Sequence, residues 1–220
     1  MNKAVPYDLF YTKVMDLSGW VCANILRFGK YENESIIKFA AADEKSNVLD
    51  YGCNTGRQAS NVNQAYGYNV MGADINTAAI AICKRKGIPA EVISPIFFEK
   101  YKSSFDVIIN SHVLEHVDDP KDFLVNIRGL LKKEGTFVIA IPQERIRGDI
   151  TPLQILYFLS RLKFENPHKH NFSKDQLFTL LKEAGFVPEE HIFCNFIPPF
   201  LTKDRIFITS RSLVVKCTKN

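Results

Sequence analysis

The stretch Val48-Leu-Asp-Tyr-Gly-Cys-Asn-Thr-Gly56 restricts the fold more than any other part of the chain. Asn47 to Tyr51 reads as a buried strand, and a helix candidate runs from the second glycine to about Tyr66. Between them lies a tight turn carrying Gly52, Asn54 and Gly56. A strand that enters a helix through such a turn opens a βαβ unit, and the pattern continues downstream. Tyr68 to Ala73 is a second strand ending at Asp74. Asn76 is placed to cap the next helix, which runs to Lys86 and stops at Gly87. Ala90 to Ile93 and Phe105 to Ile109 are the third and fourth strands. Pro120 to Lys132 is a helix ended by Gly135, and Thr136 to Ile141 is a fifth strand stopped by Pro142. This alternation predicts an α/β fold: a mostly parallel sheet with helices on both faces.

The flanks break the rhythm. Tyr7 to Phe28 is an aromatic-rich helical stretch, and a second helix is expected through Ile36 to Ala42, so residues 1–45 read as a helical cap. Residues 143–172 form an insertion, a candidate lid over the active site, with a helix candidate around Leu153 to Leu162. It is too short to hold a core of its own, so the 220 residues are read as a single domain. Ser173 then caps a helix through Ala184, stopped by Gly185, and Val187 to Phe193 and Ser212 to Cys217 are two late strands.

Composition removes several classes. Lys and Arg exceed Asp and Glu by 28 to 24 without clustering, so nucleic acid is not expected as a partner. The five cysteines are scattered, which fits reduced thiols in a cytoplasmic protein. The start of the chain has no apolar core of a secretory signal, and no run reaches the ~18 apolar residues that span a bilayer.

The chemistry is carried by the first turn. Ligands of open α/β sheets bind beyond the C-terminal ends of the strands. Gly52 lets a backbone approach closely, Gly56 lets the helix begin without a side chain in the way, and Asn54 tolerates left-handed geometry. A dinucleotide fingerprint needs Gly-x-Gly-x-x-Gly, and only Gly52 and Gly56 are present. Asp50 would repel a pyrophosphate but attract a cofactor with an ammonium group and no phosphate, such as S-adenosylmethionine. Asp74, ending the second strand, could accept hydrogen bonds from both hydroxyls of a ribose.

With the segments Val70-Met-Gly-Ala-Asp74, Val113-Leu-Glu-His-Val117, Leu130-Leu-Lys-Lys-Glu-Gly-Thr-Phe137, His168-Lys-His-Asn-Phe-Ser173 and Leu180-Leu-Lys-Glu-Ala-Gly-Phe186 in order, the chain resembles the class I methyltransferase superfamily from Ser46 to Gly185. The resemblance implies a Rossmann-like, seven-stranded sheet whose last strand is antiparallel. It implies S-adenosylmethionine as cofactor, with Asp50, Gly52 and Gly56 at its methionine end and Asp74 on its ribose; Cys53, Asn54 and Ile75 are further candidate cofactor contacts. The family usually has glycine where Asn54 stands. It commonly presents an acid near the adenine, where this chain reads Ser94, Pro95 and Ile96. Cys53 is expected to be a small packed residue.

Ser111 and His112, at the tip of the fourth strand, face the cofactor's reactive end. Methyl transfer is an in-line displacement that needs alignment and, for some acceptors, removal of one proton. Histidine suits that step because its pKa is ~6.5, so His112 and His168 are the candidate bases. His116, His168, His170 and Tyr11 are candidate contacts to the acceptor. His112-Val-Leu-Glu-His116 has the spacing of a zinc-peptidase motif, but that motif needs a helix and this segment leaves a strand and ends in Asp118-Asp-Pro120. The resemblance extends to some quinone-pathway members that hold a divalent metal with acids in this segment. Here His112 replaces one of those acids, and no metal is expected. The expected reaction is O-methylation of a small metabolite, glycan precursor or quinone-like ring. N- or C-methylation of a small metabolite or sugar, and a non-catalytic cofactor-binding module, are the alternatives.

Overall fold

The computed structural model describes residues 12–13, 17, 30–67, 70–143, 168–195, 201–202 and 210–219. Tyr11, and Tyr157 and Phe158 of the insertion, lie outside them, as does most of the expected cap and lid.

Five strands are parallel: β1 (Val48–Tyr51), β2 (Val70–Asp74), β3 (Ala90–Val92), β4 (Phe105–Ser111) and β5 (Leu131–Pro142). β8 (Ser210–Lys219) pairs antiparallel with β5 and with β6 (Phe186–Asn195). The two-residue β7 (Leu201–Thr202) adds an eighth strand to the expected seven, giving the order β3-β2-β1-β4-β5-β8-β6-β7. The order turns outward from β1 in both directions, so a crevice opens at the C-terminal ends of β1 and β4.

Side-chain parity assigns the two faces. Leu49, Tyr51 and Ile108 point to one, where they meet Phe97 of α4 (Pro95–Lys100), Leu124 and Ile127 of α5 (Pro120–Leu130), and Leu177 and Leu181 of α6 (Lys174–Glu183). Val48, Val107, Ile109 and Val138 point to the other, against Ile36 and Phe39 of α1 (Lys30–Ala40) and Ala59 and Val62 of α2 (Arg57–Tyr66). α3 (Thr77–Arg85) buries Ile80 and Cys83 beside Cys53. Each fully buried Leu, Ile or Phe here contributes about 1.5–3 kcal/mol relative to exposure.

Local chemistry sets the helix ends. Asn76 accepts the N–H groups of Ala78 and Ala79, and Ser173 forms a reciprocal capping box with Gln176. Several elements differ from expectation. α1 begins at Lys30 rather than Ile36, because its first turn is polar and shows no apolar period. α4 was not expected; Ser94 caps it and Pro95 starts it. α5 ends at Leu130, and β5 starts at once with an irregular register, so Pro142 sits inside the strand opposite Ser212.

Candidate active site

The Asp50–Gly56 turn is fastened to the end of β2. The N–H groups of Gly52 and Cys53 both donate to the Ala73 carbonyl, at 2.7 and 3.0 Å. The Asn54 N–H donates to Asp74 Oδ2 at 2.8 Å, and Asp74 Oδ1 accepts the Asn76 N–H at 2.8 Å. Asn54 has φ 47°, the left-handed geometry expected of it. A carboxylate at a strand end has the acceptor capacity that a ribose diol needs. Burial pushes the Asp74 carboxyl up, against the pull of its backbone donors.

Asp50 is buried and its Oδ2 accepts the Ala59 N–H at 2.9 Å. Burial raises its pKa to about 7, with the Ala59 N–H and Arg57 opposing and Asp74 reinforcing the rise. A carboxylate poised in this way gains from a cationic neighbour. Beside Asp74, Ile75 and Ile96 are 65% and 73% exposed, large apolar side chains left uncovered at the strand ends. Exposed apolar side chains next to a strand-end carboxylate fit an adenosyl group. Ser94, expected near the adenine, accepts the Phe97 N–H on its hydroxyl as the α4 cap.

The loop glycines serve the protein's own packing as much as a ligand. A Cβ on Gly52, at φ 83°, would lie 2.3 Å from Val113 Cγ2, and one on Gly56 would lie 2.5 Å from Ile88 Cδ1. Gly52→Ala is therefore expected to cost at least about 2 kcal/mol of stability, from left-handed strain plus overpacking, read by denaturant unfolding. An unchanged midpoint would mean that Val113 gives way. Cys53 is packed as expected. Its Sγ is 4.0 Å from Cys83 Sγ, and that shared bond together with burial keeps the Cys53 thiol protonated.

β4 delivers Ser111 and then His112, whose N–H extends the sheet to the Ala140 carbonyl at 2.9 Å. His112 has φ 56°. Its Nε2 lies 3.1 Å from both oxygens of Glu32, and its Nδ1 3.6 Å from Glu115 Oε1. Both carboxylates are buried. Burial alone would lower the imidazole pKa, but Glu32 and Glu115 outweigh it and push it up to about 10. Both ring nitrogens of His112, a candidate base, thus face carboxylates, which favour the protonated ring.

A second group forms just beyond. Leu114–His116 is a short 3-10 turn rather than an α-helix, so the zinc-peptidase geometry does not form. The Lys169 and His170 N–H groups donate to the Glu115 carbonyl at 2.8 and 3.1 Å, which draws the end of the insertion onto this turn. His116 and His168 thus meet edge to face, with ring centroids 4.7 Å apart. Ligand-type atoms of Glu115, His116 and His168 fall within 4.8 Å of one another. Both Glu115 carboxylate oxygens are buried without a hydrogen-bond partner. His170 Nε2 meets the Val117 carbonyl at 3.0 Å, and its ring stacks on Phe172. Glu32 and Glu115 were not anticipated from the sequence.

The sequence profile of a family described as "Methyltransferase domain" matches residues 23–191. The chain belongs to that family. S-adenosylmethionine is accordingly the cofactor of this methyltransferase, and the Asp50, Asp74 and isoleucine geometry suits it. The chain is 26% identical to a ubiquinone biosynthesis O-methyltransferase of Rickettsia canadensis, over 77% of this chain and 74% of that one. It is 32% identical to the protein of that name from Pelagibacter ubique over 54% of each, so it spans little more than half of that relative. A Thermotoga maritima structure, named as an S-adenosylmethionine-dependent methyltransferase and possible histamine N-methyltransferase, aligns with TM-score 0.66 at 19% identity, covering 96% of this chain and 98% of that one. That likeness confirms the fold. Among the described residues, no helix is long and apolar enough to cross a membrane.

Proposed function

We propose that this methyltransferase O-methylates a small acceptor, most readily a ring hydroxyl of the quinol or phenol type, in the cytoplasm. The observation that carries the reading is the His116–His168 pair over the buried Glu115, past the tip of β4. The names of the ubiquinone-pathway relatives support the acceptor class.

When bound, S-adenosylmethionine supplies a methyl group on a sulfonium, ready for in-line displacement. The chain's own residues do the rest. Asp74 fixes the ribose, Ile75 and Ile96 flank the adenine, and Asp50 with the Gly52–Gly56 backbone receives the methionine end. Ser111 and His112 wall the reacting end. His168, paired with His116, takes the hydroxyl proton of the acceptor, and Glu115 offsets the charge that the imidazole gains, since the ligand-type atoms of Glu115, His116 and His168 lie within 4.8 Å of one another. Alignment supplies most of the acceleration and the base a further ~10²–10⁴-fold.

The test is to incubate the protein with methyl-labelled cofactor and a panel of catechols, hydroxybenzoates, sugars and small amines. Label in a methyl ether supports the reading, and label on nitrogen or carbon favours the alternative acceptors. Tight cofactor binding without any transfer would sink the enzyme reading. On the methylated acceptor, His168→Asn is expected to lower kcat by ~10²-fold or more near neutral pH.

A second reading follows from the 4.8 Å convergence of Glu115, His116 and His168, with the burial of the Glu115 carboxylate in its favour. Two imidazoles and a carboxylate suit zinc or iron better than magnesium. Prolonged dialysis against a chelator separates the two. Undiminished transfer leaves proton removal to His168, while loss that zinc or ferrous iron restores assigns the cluster to an ion.

A further inference from the structure

Glu32 stands on the first turn of α1, a helix outside the βαβ alternation, and it is buried to 3% exposure. A carboxylate so deeply buried is costly unless a cation meets it. Its two oxygens close on one atom, His112 Nε2, at 3.1 Å each. His112 itself occupies a left-handed backbone that a β-carbon disfavours, and the next residue, Val113, fills the space above Gly52. The same turn of α1 reaches the other side of the cofactor loop, where Arg57 Nη1 donates to Asn33 Oδ1 at 3.4 Å. Further upstream, Thr12 is buried and its hydroxyl accepts from Asn76 Nδ2 at 3.0 Å, beside Asp74. The N-terminal region therefore touches the loop's exit, the tip of β4 and the ribose side of the site. Ile36 and Phe39 anchor α1 against the sheet, so Glu32 is presented from a fixed support.

We propose that Glu32 is a positioning residue of the methyl-transfer site, acting through His112 to hold the strained His112–Val113 turn closed on the cofactor loop. Gripping Nε2 with both oxygens sets the ring; the ring sets the turn; and Val113 then seats Gly52. Glu115, at 3.6 Å from Nδ1, steadies the opposite edge. Glu32 needs no contact with cofactor or acceptor to do this. The role rests on the functional reading above only in assuming that the loop binds the adenosyl cofactor.

The experiment is a double-mutant cycle on the full chain with S-adenosylhomocysteine as the probe. Affinity is read by calorimetry for wild type, Glu32→Gln, His112→Asn and the pair; asparagine tolerates the left-handed backbone, so the second change removes the ring without adding strain. Glu32→Gln and His112→Asn are each expected to weaken binding about tenfold, and the double variant no more than His112→Asn alone. In nitrogen-15 spectra at pH 7, the His112 Nε2 signal should move in Glu32→Gln while the other histidines stay in place. Losses that multiply in the double variant, or wild-type affinity in Glu32→Gln, overturn the proposal. A lowered melting temperature with unchanged affinity also overturns it, because a merely structural residue behaves that way. If Glu32→Gln fails to fold, Glu32→Asp enters the same cycle with the same criteria. If wild type itself binds no S-adenosylhomocysteine, the functional reading fails first, and that result is distinct from all of these.

Discussion

Asp74→Ala is expected to weaken S-adenosylhomocysteine binding by roughly 30- to 900-fold, about 2–4 kcal/mol. The carboxylate does two things at once. It takes the Asn54 and Asn76 N–H groups, one on each oxygen, and thereby ties the loop to the α3 cap. In the proposed binding mode it also accepts from the ribose diol. Alanine removes the ligand contact and releases the Asn54 N–H, so the loop loosens as the contact disappears. Asp74→Asn keeps one oxygen and should fall between the two. An alanine variant within threefold of wild type would show that the ribose is held elsewhere.

Acid should weaken cofactor binding nearly as strongly. Burial has raised Asp50 from 3.8 to about 7, so the carboxyl of the free protein is largely protonated at pH 5. The sign for stability follows directly. A raised carboxyl stabilises the fold in acid, and that contribution is lost as the pH climbs from the unfolded value through about 7. Binding runs the other way. An ammonium group pairs with the ionised form, so affinity should rise about tenfold per pH unit from 5 toward 7 and then level. It should turn down only where an α-amino group loses its own proton, near 7.7–8.0. Calorimetry across pH 5 to 8 reads this profile, and Asp50→Asn should flatten the acid limb. A flat wild-type profile would separate Asp50 from the ammonium.

Much of this fold could be read in advance because its signals are local. The apolar runs at Val48, Val70, Phe105 and Phe137 gave strands, and Asn76 and Ser173 cap where their side chains can reach N–H groups two and three residues on. α4 escaped because six residues hold too little periodicity, although Ser94 followed by Pro95 is itself a start signal. The start of α1 escaped because its first turn, Lys30-Tyr-Glu-Asn-Glu34, is polar, and the polar residue Glu32 turned out to be the functional one. The site divides in the same way. Asp50, Asn54 and Asp74 were legible because one turn and one strand end place them. The grip on His112 was not, since Glu32 lies 80 residues away in the chain and only the packing of α1 on the sheet brings it near. The sequence located His112 but gave no sign that two carboxylates would claim its nitrogens.

Asn54 has one more consequence. Compared with glycine, Asn54 visits fewer conformations when unfolded, and its N–H is already bound to Asp74. Much of the disorder that a glycine-rich turn would surrender on meeting its ligand is given up here when the domain folds. The loop should act as a preorganised socket, and cofactor binding should bring little further ordering of the backbone.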